Sequence, residues 1–393
     1  PGWMRFCTPS RPAIISAAGA DAEENFVNLC GEKRFLSVCE GFRADKSFIL
    51  GKISAQLAKF SQNTPKHLQT RTNALVLSAL LQIDKDVRDA IKKYGKNRVG
   101  VVVGTTTSGV EENYETFKDF AATGFFNASK FGINRNSLAN PSEFIADFYG
   151  LSSVAFSVST ACTSGVKAII TAKRLLESGV CDAVICGGVD SLNTLTINGF
   201  DSLGILSARE TNPFSKNRDG INIGEGAAFF VASRDEISNV VIAGEHSNCD
   251  AFHMTQPDFS GRMQTKCVQK ALQAANLSSV DYINLHGTGT QANDKIEAKI
   301  VHSLMPSVFA SSVKPLIGHT LGAAGAIESA LCAMLCAKGE TALPPHVYDG
   351  VYDDEIEGVN LVKFGQRAVV NSAMSLSFAF GGDNAAIVFG RAR

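Results

Sequence analysis

The stretch SVAFSVSTACTSGVKAIITAKRLLESGVCDAVICGGVDS, residues 153–191, decides the fold. Residues 153–161 form a short β-type run that ends in small and hydroxyl side chains. Residues 164–179 are a helix by their apolar spacing. Residues 181–191 are again a short apolar run, bounded by Gly and Asp. Strand, helix, strand is the βαβ grammar of a largely buried sheet with helices on its faces.

The same grammar extends in both directions. RVGVVVGTTTSG (98–109) reads as a buried strand ending in a glycine turn, EGAAFFVASR (225–234) as another strand, and AIISAAGADA (13–22) as the first strand and its turn. A second series follows Val240. Strands are expected in VVIAGEHS, VDYINLHGTGT, SVFASSVK, SAMSLSFAFGG and NAAIVFG, and helices in MQTKCVQKALQAANL, NDKIEAKIVHSLM and GAAGAIESALCAMLCAKG. In each series a strand ends in reactive residue types, STACTSG in the first and LHGTGT in the second. Two related halves with sites facing one crevice are therefore expected.

Cys162 sits in the strand-to-helix turn of the quoted stretch. The residues around it, Ser159 to Ala161 and Thr163 to Gly165, are small enough for a tight elbow. A helix N-terminus there would favour the thiolate. His286 (NLHGTGT) and His319 (KPLIGHTLGAAGAIE) lie at two further turns; the other five histidines lack such settings. A Cys/His set of this kind suits acyl transfer, with a thiol attacking a thioester and imidazoles handling protons or developing charge. Lys314 and Glu328 flank His319 and are candidates to pair. Arg218, Asp219 and Glu225, in NPFSKNRDGINIGEGAA, are candidates to pair locally. The GEG in that segment opens a strand rather than a helix, so it is no phosphate loop. FAFGGDN (378–384) is a Gly-Gly turn whose N–H groups could approach a ligand.

The bulk numbers exclude several classes. With 393 residues, 45% hydrophobic, 19% charged and a net charge of −1, the chain has ample core material and no global case for binding nucleic acid. The local basic run of Lys92, Lys93, Lys96 and Arg98 reads as a solvated helix end. No segment is expected to span a membrane. The ten cysteines form no CxxC pair and no zinc spacing, which implies free thiols in a reducing, cytoplasmic compartment. Pro1–Trp3, ahead of Met4, reads as an addition to the natural chain.

Five motifs occur here in one order: STACTSG, PFSKNRDGINIGEGA, HGTGT…ND, SVKPLIGHTLGAAGAIE and FAFGGDN. Together they resemble the elongating β-ketoacyl-[acyl-carrier-protein] synthases of the thiolase superfamily, from about Gly100 to the C-terminus; the segment before it matches less well. The resemblance implies an α/β chain with the duplicated thiolase fold, layered α-β-α-β-α. An N-terminal half over 10–236 would carry the nucleophile, and a C-terminal half over 237–393 the two catalytic histidines. Cys162 would accept the acyl chain, and His286 and His319 would support malonyl decarboxylation. Lys314, paired with Glu328, would hold them. The backbone N–H groups of Cys162 and Phe380 would form the oxyanion hole, with Phe380 also gating the acyl pocket. Thr288, Thr290, Phe378, Gly381 and Gly382 would bind substrate.

The implied reaction is decarboxylative condensation of malonyl-carrier with the chain on Cys162. It needs no metal or nucleotide, since substrates ride on the phosphopantetheine of acyl carrier protein. The implied partners are that carrier and a second thiolase-fold subunit, either a second copy or a chain-length-factor-like homologue. Two histidines separate the chain from initiating synthases, and the absence of a cysteine in AFGGDN separates it from degradative thiolases. VVVGTTTSGVEE, TINGFDSL and DYINLHGTGTQANDKIE are similar to ketosynthases of aryl polyene pathways. Two positions depart from the family: Asp383 stands where threonine is usual, and Ala379 where glycine is usual. The rival readings are a chain-length-factor-like partner subunit, which would lack the nucleophile, and a coenzyme A-dependent thiolase or acyltransferase.

Overall fold

The computed structural model describes residues 8–392, so Pro1–Trp3, Met4 and Cys7 lie outside the described residues. One sheet is built from β1 (Ala13–Ser16), β2 (Val99–Gly104), β3 (Ala155–Val158), β4 (Ala183–Asp190) and β5 (Gly226–Ser233). The two-residue strand Thr8–Pro9 adds to β5. The other sheet is built from β6 (Val240–Cys249), β7 (Tyr282–Asn284), β8 (Phe309–Ser311), β9 (Ser372–Phe378) and β10 (Asp383–Arg391). The strand orders are β1-β5-β4-β2-β3 and β6-β10-β9-β7-β8. In each sheet the second strand in sequence pairs parallel to the third and fourth, and the fifth runs antiparallel to the fourth and first. Identical order and identical directions in two consecutive series are the mark of a duplicated unit.

Two helices, α1 (Ser164–Glu177) and α4 (Ala324–Lys338), lie between the sheets and share one apolar core. Helices Arg71–Leu80 and Asn140–Tyr149 cover the outer face of the first sheet, and α2 (Arg262–Ala274) and α3 (Gln291–Leu304) that of the second. The layers are thus α-β-α-β-α, the thiolase arrangement. The stripe on α1 buries Val166, Ile169, Ile170 and Leu176, as its spacing predicts. Gly165 lets α1 come close to the turn before α4: a Cβ there would stand 2.7 Å from the carbonyl oxygen of Gly322 and 2.9 Å from Cβ of Ala326.

One helix tests the expectation that no segment spans a membrane. Leu321–Lys338, 18 residues of mean hydropathy 1.4, is long and apolar enough to cross a membrane by composition. It is 89% buried inside the protein, because a helix packed between two sheets must be apolar all round.

The parallel strands aim their C-terminal ends at one crevice. Past β3 comes Cys162, past β7 His286, past β8 Lys314 and His319, and past β9 Phe380. The edge strand β3 is only partly covered, in contrast to the fully buried β2 and β4.

Candidate active site

The elbow at Cys162 is strained. Ala161 holds φ at +52°, a left-handed backbone that costs an L-residue about 1–2 kcal/mol. The strain turns the chain from β3 into α1, which begins two residues after Cys162. Ser164 Oγ donates to the carbonyl of Ala161 and accepts from the N–H of Thr160, closing the turn. Cys162 is left 9% exposed, at the junction of two cavities.

The sequence-predicted histidines converge on it. His319 Nε2 lies 3.1 Å from Cys162 Sγ. The N–H of Leu321 donates to His319 Nδ1, so the proton of the neutral ring sits on Nε2 and points at the sulfur. The ring of His286 stands perpendicular to that of His319, with centroids 5.4 Å apart. Burial drives both imidazoles well below their ordinary 6.5, and the Lys314 ammonium pushes in the same direction. Each is therefore a neutral N–H donor at pH 7. Because the shift is downward, any pH break due to these rings moves to the acid side. The imidazole resonances of His286 and His319 are expected not to titrate between about pH 7.5 and about pH 6. An NMR titration of either ring with a midpoint near 6.5 would contradict neutral, buried rings.

Lys314 Nζ donates to Glu328 Oε1, and both side chains are buried. Burial pushes the Glu328 carboxyl up to about 7, against the pull of the lysine. Such a pair carries its charge only because each partner answers the other, and removing one strands the other.

The thiol differs from the expectation drawn from the helix end. Burial pushes Cys162 up to about 11, outweighing the pull of Lys314 and of the hydrogen bond from the Phe380 N–H. Desolvation wins because the elbow lies inside the crevice, which the local sequence cannot report. The resting site holds a thiol, and the Phe380 N–H already points at it.

Cys162, His286 and His319 bring three ligand atoms within 4.8 Å of one another, a spacing that would suit a metal. Their hydrogen bonding does not fit one. His319 Nε2 carries a proton where a metal needs a lone pair, and Lys314 adds positive charge beside the rings. The cluster is set to donate hydrogen bonds.

A cavity of about 290 Å³ runs from Cys162 past both histidines, Thr288, Thr290 and Phe378. A second, of about 220 Å³, lies behind it, lined by Thr106, Ala161, Cys162, Thr196, Phe200, Leu321 and Phe380. The stacked rings of Phe200 and Phe380, 5.9 Å apart, line both and stand between them. Gly381 and Gly382, expected at the substrate, line neither cavity. Their N–H groups donate to Met254 O and Ala379 O, and they shape the turn instead. Gly382, at φ +75°, cannot be replaced without a clash, since a Cβ would meet Asp250 Oδ1 at 1.8 Å.

The expected local pairing around Arg218 is also corrected. Arg218 bonds Asp353, with Asp294 3.9 Å away. Glu225 pairs with Arg71, and Asp219 with Ser207 and Arg209. The loop's service to the site is through its backbone: Asn222 O accepts from His319 N–H, and Gly224 N–H donates to His319 O.

Three supporting residues escaped the sequence reading. Asp190, fully buried, accepts from the hydroxyls and backbone after β2 and from the Gly322 N–H, tying both halves beneath Cys162. Glu297 accepts from the N–H groups of His286 and Gly287 at 2.6 and 2.7 Å, fixing the histidine loop. Its signal was a glutamate on the buried face of α3, beside Ile296 and Ile300. Phe200 had no signal beyond an aromatic side chain in a short helix.

Comparison with known proteins agrees with this arrangement. The profile described as "Beta-ketoacyl synthase, N-terminal domain" matches residues 43–236, and that described as "Beta-ketoacyl synthase, C-terminal domain" matches residues 240–347. A 3-oxoacyl-[acyl-carrier-protein] synthase 2 of Coxiella burnetii is 31% identical, with 89% of this chain and 90% of that protein covered. The tetracenomycin polyketide synthase ketoacyl synthase alpha subunit of Streptomyces glaucescens is 34% identical over 60% of this chain and 59% of its own. Among solved structures, the ketosynthase ApeO in complex with its chain length factor ApeC, from Xenorhabdus doucetiae, superposes with a TM-score of 0.91. Identity there is 33%, over 99% of this chain and 98% of that one. A thiol and two neutral imidazoles in one crevice of a duplicated thiolase fold, together with matches spanning both halves, show that the chain belongs to the β-ketoacyl synthase family of acyl-transferring, carbon–carbon bond-forming enzymes.

Proposed function

We propose that Cys162 is the nucleophile of a decarboxylative condensation and that His286 and His319 serve the carbanion-forming step. The observation that carries this is the protonated His319 Nε2 at 3.1 Å from Cys162 Sγ, with the His286 ring set square to it. In the first half-reaction Cys162 sulfur bonds the acyl carbon. The carrier's pantetheine sulfur leaves and takes up the thiol proton. In the second, malonyl-carrier places its thioester oxygen at the two imidazole N–H groups. The bond to the carboxyl group breaks, CO₂ departs, and its electron pair becomes the enolate that the imidazoles stabilise. The enolate carbon then attacks the acyl-Cys162 carbonyl, whose oxygen is held by the N–H groups of Phe380 and Cys162. Collapse expels the Cys162 sulfur, which regains a proton, and the chain leaves two carbons longer on the carrier. Neither a metal nor a nucleotide enters any step.

The second chamber behind Phe200 and Phe380 is read as the place for the growing chain, and Phe380 as its gate. For partners, the half-exposed edge strand β3 and the exposed Phe125, Phe126, Ile133 and Phe156 are read as the face that a second thiolase-fold subunit covers. The solved structures of ApeO and of the ishigamide ketosynthase pair each with a chain length factor, and that of AntDE is a complex with its acyl-carrier protein. A chain-length-factor-like partner and an acyl carrier protein are the corresponding reading here, with a conjugated polyene as the growing chain. Free cysteines throughout the described residues support a reducing cytoplasmic setting.

Intact-protein mass after incubation with short, long, saturated and polyenoic acyl-carriers tests this. The expected result is one acyl adduct, mapped to Cys162, with polyenoic chains loading best. An adduct elsewhere, or none even with the partner subunit present, would overturn the nucleophile assignment.

A further inference from the structure

The gate turn is tied down on two sides by unlike tethers. On one side the Gly381 N–H donates to Met254 O at 2.7 Å, and Gly382 O accepts from the Asp250 N–H at 2.8 Å. That segment is exposed, with Phe252 and Met254 facing outward. On the other side stands Asp383, the residue that departs from the family's usual threonine. Its carbonyl accepts from the Ala379 N–H at 2.7 Å and closes the turn with Phe380 inside it. Its carboxylate reaches across to the nucleophile's own helix: Oδ2 accepts from Lys167 Nζ, and Oδ1 lies 3.0 Å from Thr163 Oγ1, whose one proton it shares with the Thr160 carbonyl at 2.6 Å. Thr163 directly follows Cys162, and Lys167 lies one helical turn on, on the same face. The lysine and aspartate side chains are only 21% and 19% exposed, so this charge-assisted contact is poorly screened.

We propose that Lys167, Asp383 and Thr163 form a strap that fixes the base of the Phe380 turn to the nucleophile helix. They are positioning residues, acting through the Phe380 backbone and ring. The strap holds the Phe380 N–H in reach of the Cys162 acyl oxygen during condensation. It also holds the ring on Phe200, between the two chambers, so that opening must bend the turn at Gly381 against it. A threonine at 383 would keep the backbone bond that closes the turn but carries no charge to pair with the ammonium, so the side-chain tie to the nucleophile helix would be lost. The proposal rests on Phe380 as gate and oxyanion donor.

Lys167→Met and Asp383→Thr separate the two duties. The full chain with its partner subunit is assayed for pre-steady-state acylation of Cys162 by a long acyl-carrier, and for condensation from pre-acylated enzyme. Both rates are normalised to alkylatable Cys162. In either variant acylation is expected to quicken by about threefold, since the gate is less firmly held. Condensation is expected to slow by about tenfold, less than the loss on deleting an oxyanion donor outright. The swap Lys167→Asp with Asp383→Lys should return both rates towards wild type. A merely destabilised protein would lower both rates together. Parallel losses, unchanged rates, or a swap that recovers neither would overturn the strap. A wild-type enzyme that neither acylates nor condenses would instead overturn the condensing reading on which the strap depends.

Discussion

Cys162→Ala is expected to abolish condensation, with a fall of about 10⁵–10⁶-fold, the scale seen when a nucleophile acting within a catalytic unit is removed. The reason is chemical: without the sulfur no acyl chain waits in the crevice, and the enolate has nothing to attack. The fold should survive, because the side chain is small and the elbow is held by Ser164 and Ala161 rather than by the thiol. Cys162→Gln should behave differently. A glutamine amide occupies the place of the acyl thioester and can present a carbonyl oxygen to the Phe380 N–H. It is expected to lose condensation equally but to decarboxylate malonyl-carrier at a readily measured rate. Carbon dioxide release and β-ketoacyl product, measured side by side for both variants, decide it. Condensation by either variant would remove Cys162 from the mechanism.

The second large effect is at the histidines. His319→Ala or His286→Ala should cut malonyl decarboxylation by about 10²–10³-fold, the cost of deleting one preorganised donor to a developing oxyanion. Acylation of Cys162 should suffer less, since no enolate forms in that half-reaction. The two rings are not interchangeable. His319 is locked as the Nε2–H tautomer by the Leu321 N–H and touches the sulfur. The backbone of His286 is held by Glu297, and its Nδ1 is buried without a partner. His319→Ala should therefore also slow acylation, because the thiol loses a hydrogen-bond donor at 3.1 Å, whereas His286→Ala should not. Single-turnover acylation and decarboxylation measured on each variant test both halves of the statement. Normal decarboxylation by either variant would refute the paired-donor mechanism.

Much of this was legible in residues 153–191 and their counterpart after Val240. Local periodicity sets strands and helices, and runs of small residues mark turns, so the βαβ order, the elbow at Cys162 and the histidine turns follow from neighbours in sequence. The duplicated halves were visible for the same reason, since each repeats one local pattern. The pairing of Lys314 with Glu328 was within reach because both lie around one short turn and the helix it starts.

What lay beyond reach depends on contacts between distant parts of the chain. Arg218 meets Asp353, 135 residues away, rather than its neighbours Asp219 or Glu225. Asp383 meets Lys167 across 216 residues, and Asp190 reaches Gly322 across 132. The stacking of Phe200 on Phe380, which divides the crevice into two chambers, is likewise a product of packing. The ionisation of Cys162 turns on burial against the opposite half, which outweighs the helix end that the local sequence announces. Sequence by itself determined which chemical groups this protein brings and on which turns. Tertiary structure alone decided which partner each group meets and how much water it keeps, because desolvation and long-range pairing are properties of the packed halves and not of any segment.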